Sequence, residues 1–320
     1  MAAATGIEPE KILKELRELW VQLGQTQESN GGVLRACAMT LLVAAEPDAD
    51  GRDAEAAHRT IGVLMHNQPS RAIVISPREG GEFSARVFSE CWMPFGSQQQ
   101  ICAEGIEISS DAEQMDEVAR LLVPLVAPDL PVVLWCRGAG AFRDRSLDPL
   151  FSLADKIIFD TARVRHAPSA IEFLRRMHKN GQRVADLAWT RLTGWREAVA
   201  HLFSADAARV TAARVKYKGE SPGTGPLYFA RWIERALPGA SVLIESAPDE
   251  SPGSAGGACA VEFMCGQEKV CLLLKDENTL EIRVGASIYN SPLPGVSEEM
   301  LMGEELSILS GDPVFDRVLA

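Results

Sequence analysis

The chain has 320 residues, 46% hydrophobic and 24% charged, with a formal net charge of −12 and a pI near 5.0. That length suits about two domains with substantial cores, and the acidic balance argues against a nucleic-acid partner, because phosphate backbones are held by clustered Lys and Arg. No apolar run approaches the ~20 residues that cross a bilayer, and the N-terminus lacks the basic start and apolar core of a signal peptide, so a cytoplasmic protein without a membrane partner is expected.

From Glu8 to Leu23, Ile12, Leu13, Leu16, Leu19, Trp20 and Leu23 fall on one helical stripe, with Pro9 in the first turn. Such a stripe ordinarily packs on its own domain. After the Asn30-Gly31-Gly32 break, Leu34 to Ala45 reads as a buried strand, Ala54 to Met65 as a helix stopped by Pro69, and Arg71 to Ser76 as a strand, a β-α-β pattern that predicts a parallel pair. Glu82 to Trp92 and Gln100 to Ser109 are further strands, and Met115, Val118, Leu122 and Leu125 mark a helix. Pro131 to Cys136, then Gly138 and Gly140, a helix-like segment, and Lys156 to Asp160 read as strand, helix, strand with buried strands. In DLAWTRLTGWREAVAHLF, Leu192, Trp195, Val199, Leu202 and Phe203 form the apolar stripe of an amphipathic helix.

Composition changes after Phe203. Alternation toward Lys218, a helix from Pro226 to Leu237 and short β-rich runs at Ser241 to Ile244, Ala258 to Met264, Val270 to Leu274 and Thr279 to Val284 predict a smaller domain. The expected class is α/β: an N-terminal α/β domain over residues 1–203 with a largely parallel sheet, and a C-terminal α+β domain over residues 204–320. Two Gly/Pro/Ser-rich segments inside the latter, GESPGTGP and SAPDESPGSAGG, are expected to be flexible loops.

Taken together, DLPVVLW, LADKIIFD, DLAWTRLTGWREAVAHLF and the tail EELSILSGDPVFDRVLA resemble the glucose-6-phosphate dehydrogenase assembly protein family, OpcA, in order and over most of the chain. The resemblance implies a non-catalytic assembly factor and allosteric activator whose partner is glucose-6-phosphate dehydrogenase, with no cofactor of its own.

The residues themselves offer few chemical motifs. Gly138 and Gly140 follow a strand as in a dinucleotide loop, but Arg143 stands where the third glycine belongs, and a tight turn explains them better. Asp160 at a strand end is placed for a ligand or for capping the next turn, and Arg71 at a strand start for gripping a phosphate. A second reading follows from these three: an α/β enzyme or sensor binding a sugar phosphate or nucleotide near Gly138 and Asp160. A third combines both, an enzyme fold reused as a regulator. His58, His66, His166, His178 and His201 match no metal-ligand spacing, and Cys259, Cys265 and Cys271, six apart, invite the question of a hairpin disulfide. Trp195 belongs to the apolar stripe and reads as core. Arg191, four residues before it, is spaced for a cation–π contact with it. Trp189, Arg191 and Arg196 are the candidate partner-binding residues, since tryptophan and arginine dominate interface hot spots.

Overall fold

The structure, a computed structural model, describes residues 7–26, 33–47, 50–78, 83–96, 99–142, 145–204, 207–248, 250–293 and 297–320. Asn30-Gly31-Gly32, Glu82 and Arg143 lie outside them. There are two compact units. One holds the chain up to Asp160 with Gln182–Val184 and Met302–Gly311; the other holds Thr161–Gly181, Ala185–Leu301 and Asp312–Ala320. The division therefore falls after Asp160 rather than at 203/204, because the helices from Ala167 to Leu202 bury their apolar faces within the second unit.

The first unit runs α1 (Pro9–Thr26), β1 (Val33–Arg35), β2 (Met39–Ala44), α2 (Arg52–Leu64), β3 (Ser70–Pro77), β4 (Ser84–Trp92), β5 (Gln100–Ser110), α3 (Met115–Leu122), β6 (Val132–Cys136), α4 (Asp148–Phe151) and β7 (Lys156–Phe159). Its sheet has the order β1-β5-β3-β2-β6-β7-β8, where β8 is Val184–Asp186, and β4 pairs antiparallel with β5. The pairs β2–β3, β3–β5, β2–β6 and β6–β7 are all parallel. β2, β3 and β6 are buried along their whole lengths, which is why their sequences are apolar runs rather than alternating ones. The single strand expected over Leu34 to Ala45 is two: β1 pairs with β5, the chain leaves the ladder at Ala36–Ala38, and β2 enters between β3 and β6. Among the described residues, the link between β6 and β7 holds a short 3₁₀ turn and the four-residue α4.

Order and direction identify a doubly wound sheet whose chain reverses at β2, with β3 on one side and β6 on the other; ligands of such folds sit at the strand ends beside that reversal. Gly105 lies opposite Phe88 on β4, whose ring takes the space a side chain would need, with its nearest atom 2.1 Å from where a Cβ would stand. Cys91 and Cys102 are also directly opposite on β4 and β5, Cα atoms 4.1 Å apart, and form a disulfide.

The second unit runs α5 (Ala167–Lys179), α6 (Leu187–Thr190), α7 (Thr193–Leu202), β9 (Val210–Lys218), α8 (Thr224–Ala236), β10 (Ser241–Ala247), β11 (Ala258–Cys265), β12 (Glu268–Asp276), β13 (Thr279–Val284), β14 (Ser287–Pro292), the start of α9 (Glu298–Ser307), and α10 (Pro313–Leu319). Its sheet order is β10-β9-β11-β12-β13-β14, antiparallel except for β10 on β9. The two Gly/Pro/Ser-rich segments are pinned to each other rather than loose: Gly223 N–H donates to the Gly256 carbonyl (2.9 Å), and Gly256 N–H to that of Lys218 (2.7 Å). A Cβ on Gly223 would stand 2.8 Å from the Gly256 oxygen, so only glycine fits there. Cys265 and Cys271 sit on one hairpin but out of register, opposite Glu268 and Glu262, and neither they nor Cys259 are in a disulfide.

One polar cluster ties α2 and β4 to the first sheet. Glu107 on β5 accepts from Arg86 across the strands and meets His58 Nε2 at 3.1 Å. The His58 hydrogen bond, then the Arg86 guanidinium, outweigh burial and hold the Glu107 carboxyl at about 2, below its ordinary 4.5. A carboxyl lowered in the folded state stabilises above its unfolded value and loses that contribution as pH falls through its folded value. Glu107→Gln is therefore expected to cost on the order of 2 kcal/mol at pH 7. In urea titrations across pH, the gap to the wild type should be constant above about pH 5 and close progressively toward pH 2.

Candidate functional site

The strand ends beside the β2 reversal enclose a cavity of about 300 Å³, walled in part by Ala44, Glu46, Pro77, Met115, Gly138 and Leu147. In a doubly wound fold a dinucleotide places its pyrophosphate here, on a glycine-rich turn and the N-terminus of the following helix. The turn from β2 to α2 reads Glu46-Pro47-Asp48-Ala49-Asp50-Gly51, without the glycine pattern and with three acids. Asp53, second residue of α2, puts a carboxylate in the first turn of the helix that follows β2. It accepts the Glu46 N–H at 2.9 Å and both Arg137 Nε and Nη2 at 3.0 Å. Arg137 is buried, lies 4.4 Å over the Trp135 ring, and donates its backbone N–H to Ala44 at the end of β2. A carboxylate at a helix N-terminus that also neutralises a buried guanidinium is doubly held, so the residues present do not fit a pyrophosphate.

Gly138 follows β6 rather than β2, so it is not the dinucleotide turn; it is glycine because a Cβ would stand 2.8 Å from that of Glu46. Asp160 is buried at the end of β7 and is not part of the cavity wall. Arg71 begins β3, at the other end of the parallel sheet, and donates to Glu104 (2.6 Å) and the Leu125 carbonyl (2.7 Å). The three candidate ligand residues thus do not converge.

The tryptophan-rich segment has a different role from the one its composition suggests. Trp189 is 1% exposed: its indole N–H donates to Asp312 at 2.8 Å and its ring stacks on Phe315, with Tyr228 edge-on. Trp189, a candidate partner-binding residue by its type, is buried instead, because its polar edge finds a partner in the N-cap of α10, far along the chain. Asp186, fully buried, accepts from the N–H groups of Thr161 and Ala188, the Thr161 hydroxyl and the Tyr228 phenol. Burial first, and then the Asp186 charge, push that phenol well up. Trp195 is core, as its place in the stripe requires. The cation–π pair is Arg196 over Trp189, 3.8 Å from the ring centroid, in place of Arg191 over Trp195. Arg191 and Arg196 remain half-buried above this cluster.

The same holds in the first unit. Lys156 of LADKIIFD is buried and donates to the Glu305 carboxylate (2.7 Å) and to the carbonyls of Glu305 and Ile308 (2.7 and 2.8 Å) in the tail segment EELSILSG. Asp155 accepts the N–H of Val132 in DLPVVLW. The four strings thus meet in buried clusters: DLPVVLW, LADKIIFD and the start of the tail in the first unit, the tryptophan-rich string and the end of the tail in the second.

Two sequence profiles match the chain: one described as the glucose-6-phosphate dehydrogenase subunit N-terminal domain, over residues 62–178, and one as its C-terminal domain, over residues 182–319. The chain belongs to the OpcA family. An OxPP cycle protein OpcA of Nostoc punctiforme is 23% identical over 177 residues, 53% of this chain and 38% of that one. That of Synechococcus elongatus is 27% identical over 187 residues, 55% and 41%. The chain matches less than half the length of these OpcA relatives. A levoglucosan dehydrogenase bound to NADH and levoglucosan aligns over 89% of this chain and 94% of its own, at 10% identity and a TM-score of 0.48. An aldose-aldose oxidoreductase of Caulobacter crescentus aligns over 87% and 94%, at 10% identity and 0.47. Likeness at that level carries no functional weight.

No spacing rule points to Asp53 and Arg137; the visible signal is the acid-rich turn in the place of a glycine-rich one. If the tryptophan cluster is a folding element, Trp189→Ala should lower stability by about 3–5 kcal/mol, whereas Arg196→Ala, which removes the outer cation–π contact and a hydrogen bond to Thr193, should cost about 1–2 kcal/mol. Chemical denaturation of the two variants measures both.

Proposed function

We propose that this chain is a non-catalytic assembly factor and allosteric activator of glucose-6-phosphate dehydrogenase in the cytoplasmic oxidative pentose phosphate pathway. The observation that supports this reading most is at Asp53: in a sheet whose topology offers a dinucleotide site, the helix after β2 opens on a carboxylate bonded to Arg137 and lacks a glycine-rich turn before it, while the family profiles relate the chain to the dehydrogenase. An enzyme fold reused as a regulator joins the two facts. Activation then arises from tighter binding to the active arrangement of the dehydrogenase than to the inactive one. A tenfold shift needs about 1.4 kcal/mol of differential affinity. Arg191 and Arg196, both partly exposed, are the proposed contacts. Trp189, buried beneath Arg196, positions it.

Size-exclusion of the chain mixed with the cognate dehydrogenase should show co-elution. The dehydrogenase should gain a lower half-saturation for glucose-6-phosphate or a higher maximal rate, and the chain alone should show no turnover. An Arg191→Ala/Arg196→Ala variant that keeps its fold should weaken the complex by about 10- to 100-fold. Absence of co-elution and of any rate change would overturn the function; an unchanged affinity in the double variant would overturn the assignment of those two residues.

A further inference from the structure

At the N-terminal end of the parallel strands, away from the β2 reversal, a cavity of about 260 Å³ opens between α1 and the sheet. Three guanidinium groups line it, Arg17 from α1, Arg35 from β1 and Arg71 from β3, against one carboxylate, Glu104 from β5. Glu104 is 1% exposed and already accepts from Trp20 Nε1, Arg35 Nη2 and Arg71 Nε, each at 2.6 Å. Burial alone would raise its carboxyl, but the Trp20 bond and the Arg71 and Arg35 charges hold it below its ordinary value, so it stays ionised. Arg71, buried, is satisfied by Glu104 and the Leu125 carbonyl. That leaves the outer pair. Arg35 has a half-exposed side chain, and Arg17 donates Nε to the Leu13 carbonyl while, among the described residues, no carboxylate lies within ion-pair distance of it.

Three cations against one anion leave an excess of two positive charges facing a walled space, in a chain whose net charge is −12. Low-dielectric walls concentrate such a field, and guanidinium forks match the oxygens of a phosphate better than any other common group. Leu16 and the Trp20 ring supply an apolar side. The volume lies below the roughly 300–1,000 Å³ of sites for drug-sized ligands, so a nucleotide is too large and a compact molecule fits. We infer that this cavity is a binding site for a small organic phosphate monoester, its dianionic head held between Arg17 and Arg35 and its carbon skeleton against Trp20 and Leu16.

Isothermal titration of the full chain at about 150 mM salt, which screens unspecific attraction, should show one saturable site for glycerol 3-phosphate, weaker binding of orthophosphate and none of glycerol. Arg17 is exposed and holds nothing but its own helix, so Arg17→Ala should keep the fold while weakening glycerol 3-phosphate about tenfold. Arg17→Lys should restore part of the loss, because it keeps the charge and lacks the fork. Arg35→Gln should act in the same direction. No saturable heat with the wild type up to 10 mM (about 3 kcal/mol of affinity), succinate binding more tightly than glycerol 3-phosphate, or an affinity unmoved by Arg17→Ala would each overturn the inference.

Discussion

Asp53 and Arg137 hold the first unit's sheet together at the place where its topology changes direction. Arg137 prolongs β6, is bonded through its backbone to the end of β2, and lies buried over Trp135. A guanidinium so placed needs a carboxylate, and removing the partner of a buried charge costs about 3–5 kcal/mol. Asp53 supplies it from the first turn of α2, where the helix dipole also favours an anion. One interaction thereby joins two strands and a helix beside the crevice. Gly138 follows from it: with β2 and β6 drawn together at their ends, Glu46 leaves no room for a side chain there.

The second unit rests on an equivalent buried centre. Asp186 collects four donors from α6, α8 and the Thr161 turn, and Trp189 clasps α10 through Asp312 and Phe315. The strings that mark the family are drawn from these contacts and from the Lys156–Glu305 pair of the first unit. They mark how the chain folds. The partner contacts proposed above fall to residues that remain at the surface, and these strings say less about them than the density of tryptophan and arginine suggests.

Strands β2, β3 and β6 were legible because burial on both faces forces continuous apolar runs, and α1, α2 and α8 because their stripes have helical period. β14 was not, since Ser287–Pro292 is an edge strand exposed along most of its length and has no pattern to betray it. α5 carries a regular stripe, Ala167, Ala170, Ile171, Leu174 and Met177, but its alanines weigh little in an apolar count. The burial of Trp189 depends on Asp312, 123 residues away, and the Cys91–Cys102 pair on the register of β4 against β5; local sequence contains neither. The candidate ligand residues do not converge for the same reason: Arg71, Gly138 and Asp160 each lie at or just beyond a strand end, and only the sheet tells which end.

The central claim is that this fold works by binding a protein and has given up the dinucleotide site its topology offers. Titration of the isolated chain with NADPH, followed by energy transfer from tryptophan to the reduced nicotinamide, addresses it directly. With Asp53 and an acid-rich turn at the start of α2, no saturable transfer is expected up to about 1 mM, corresponding to less than about 4 kcal/mol of affinity. A saturable site in the micromolar range would mean that Asp53 gives way to a phosphate, and the account of the crevice would fail.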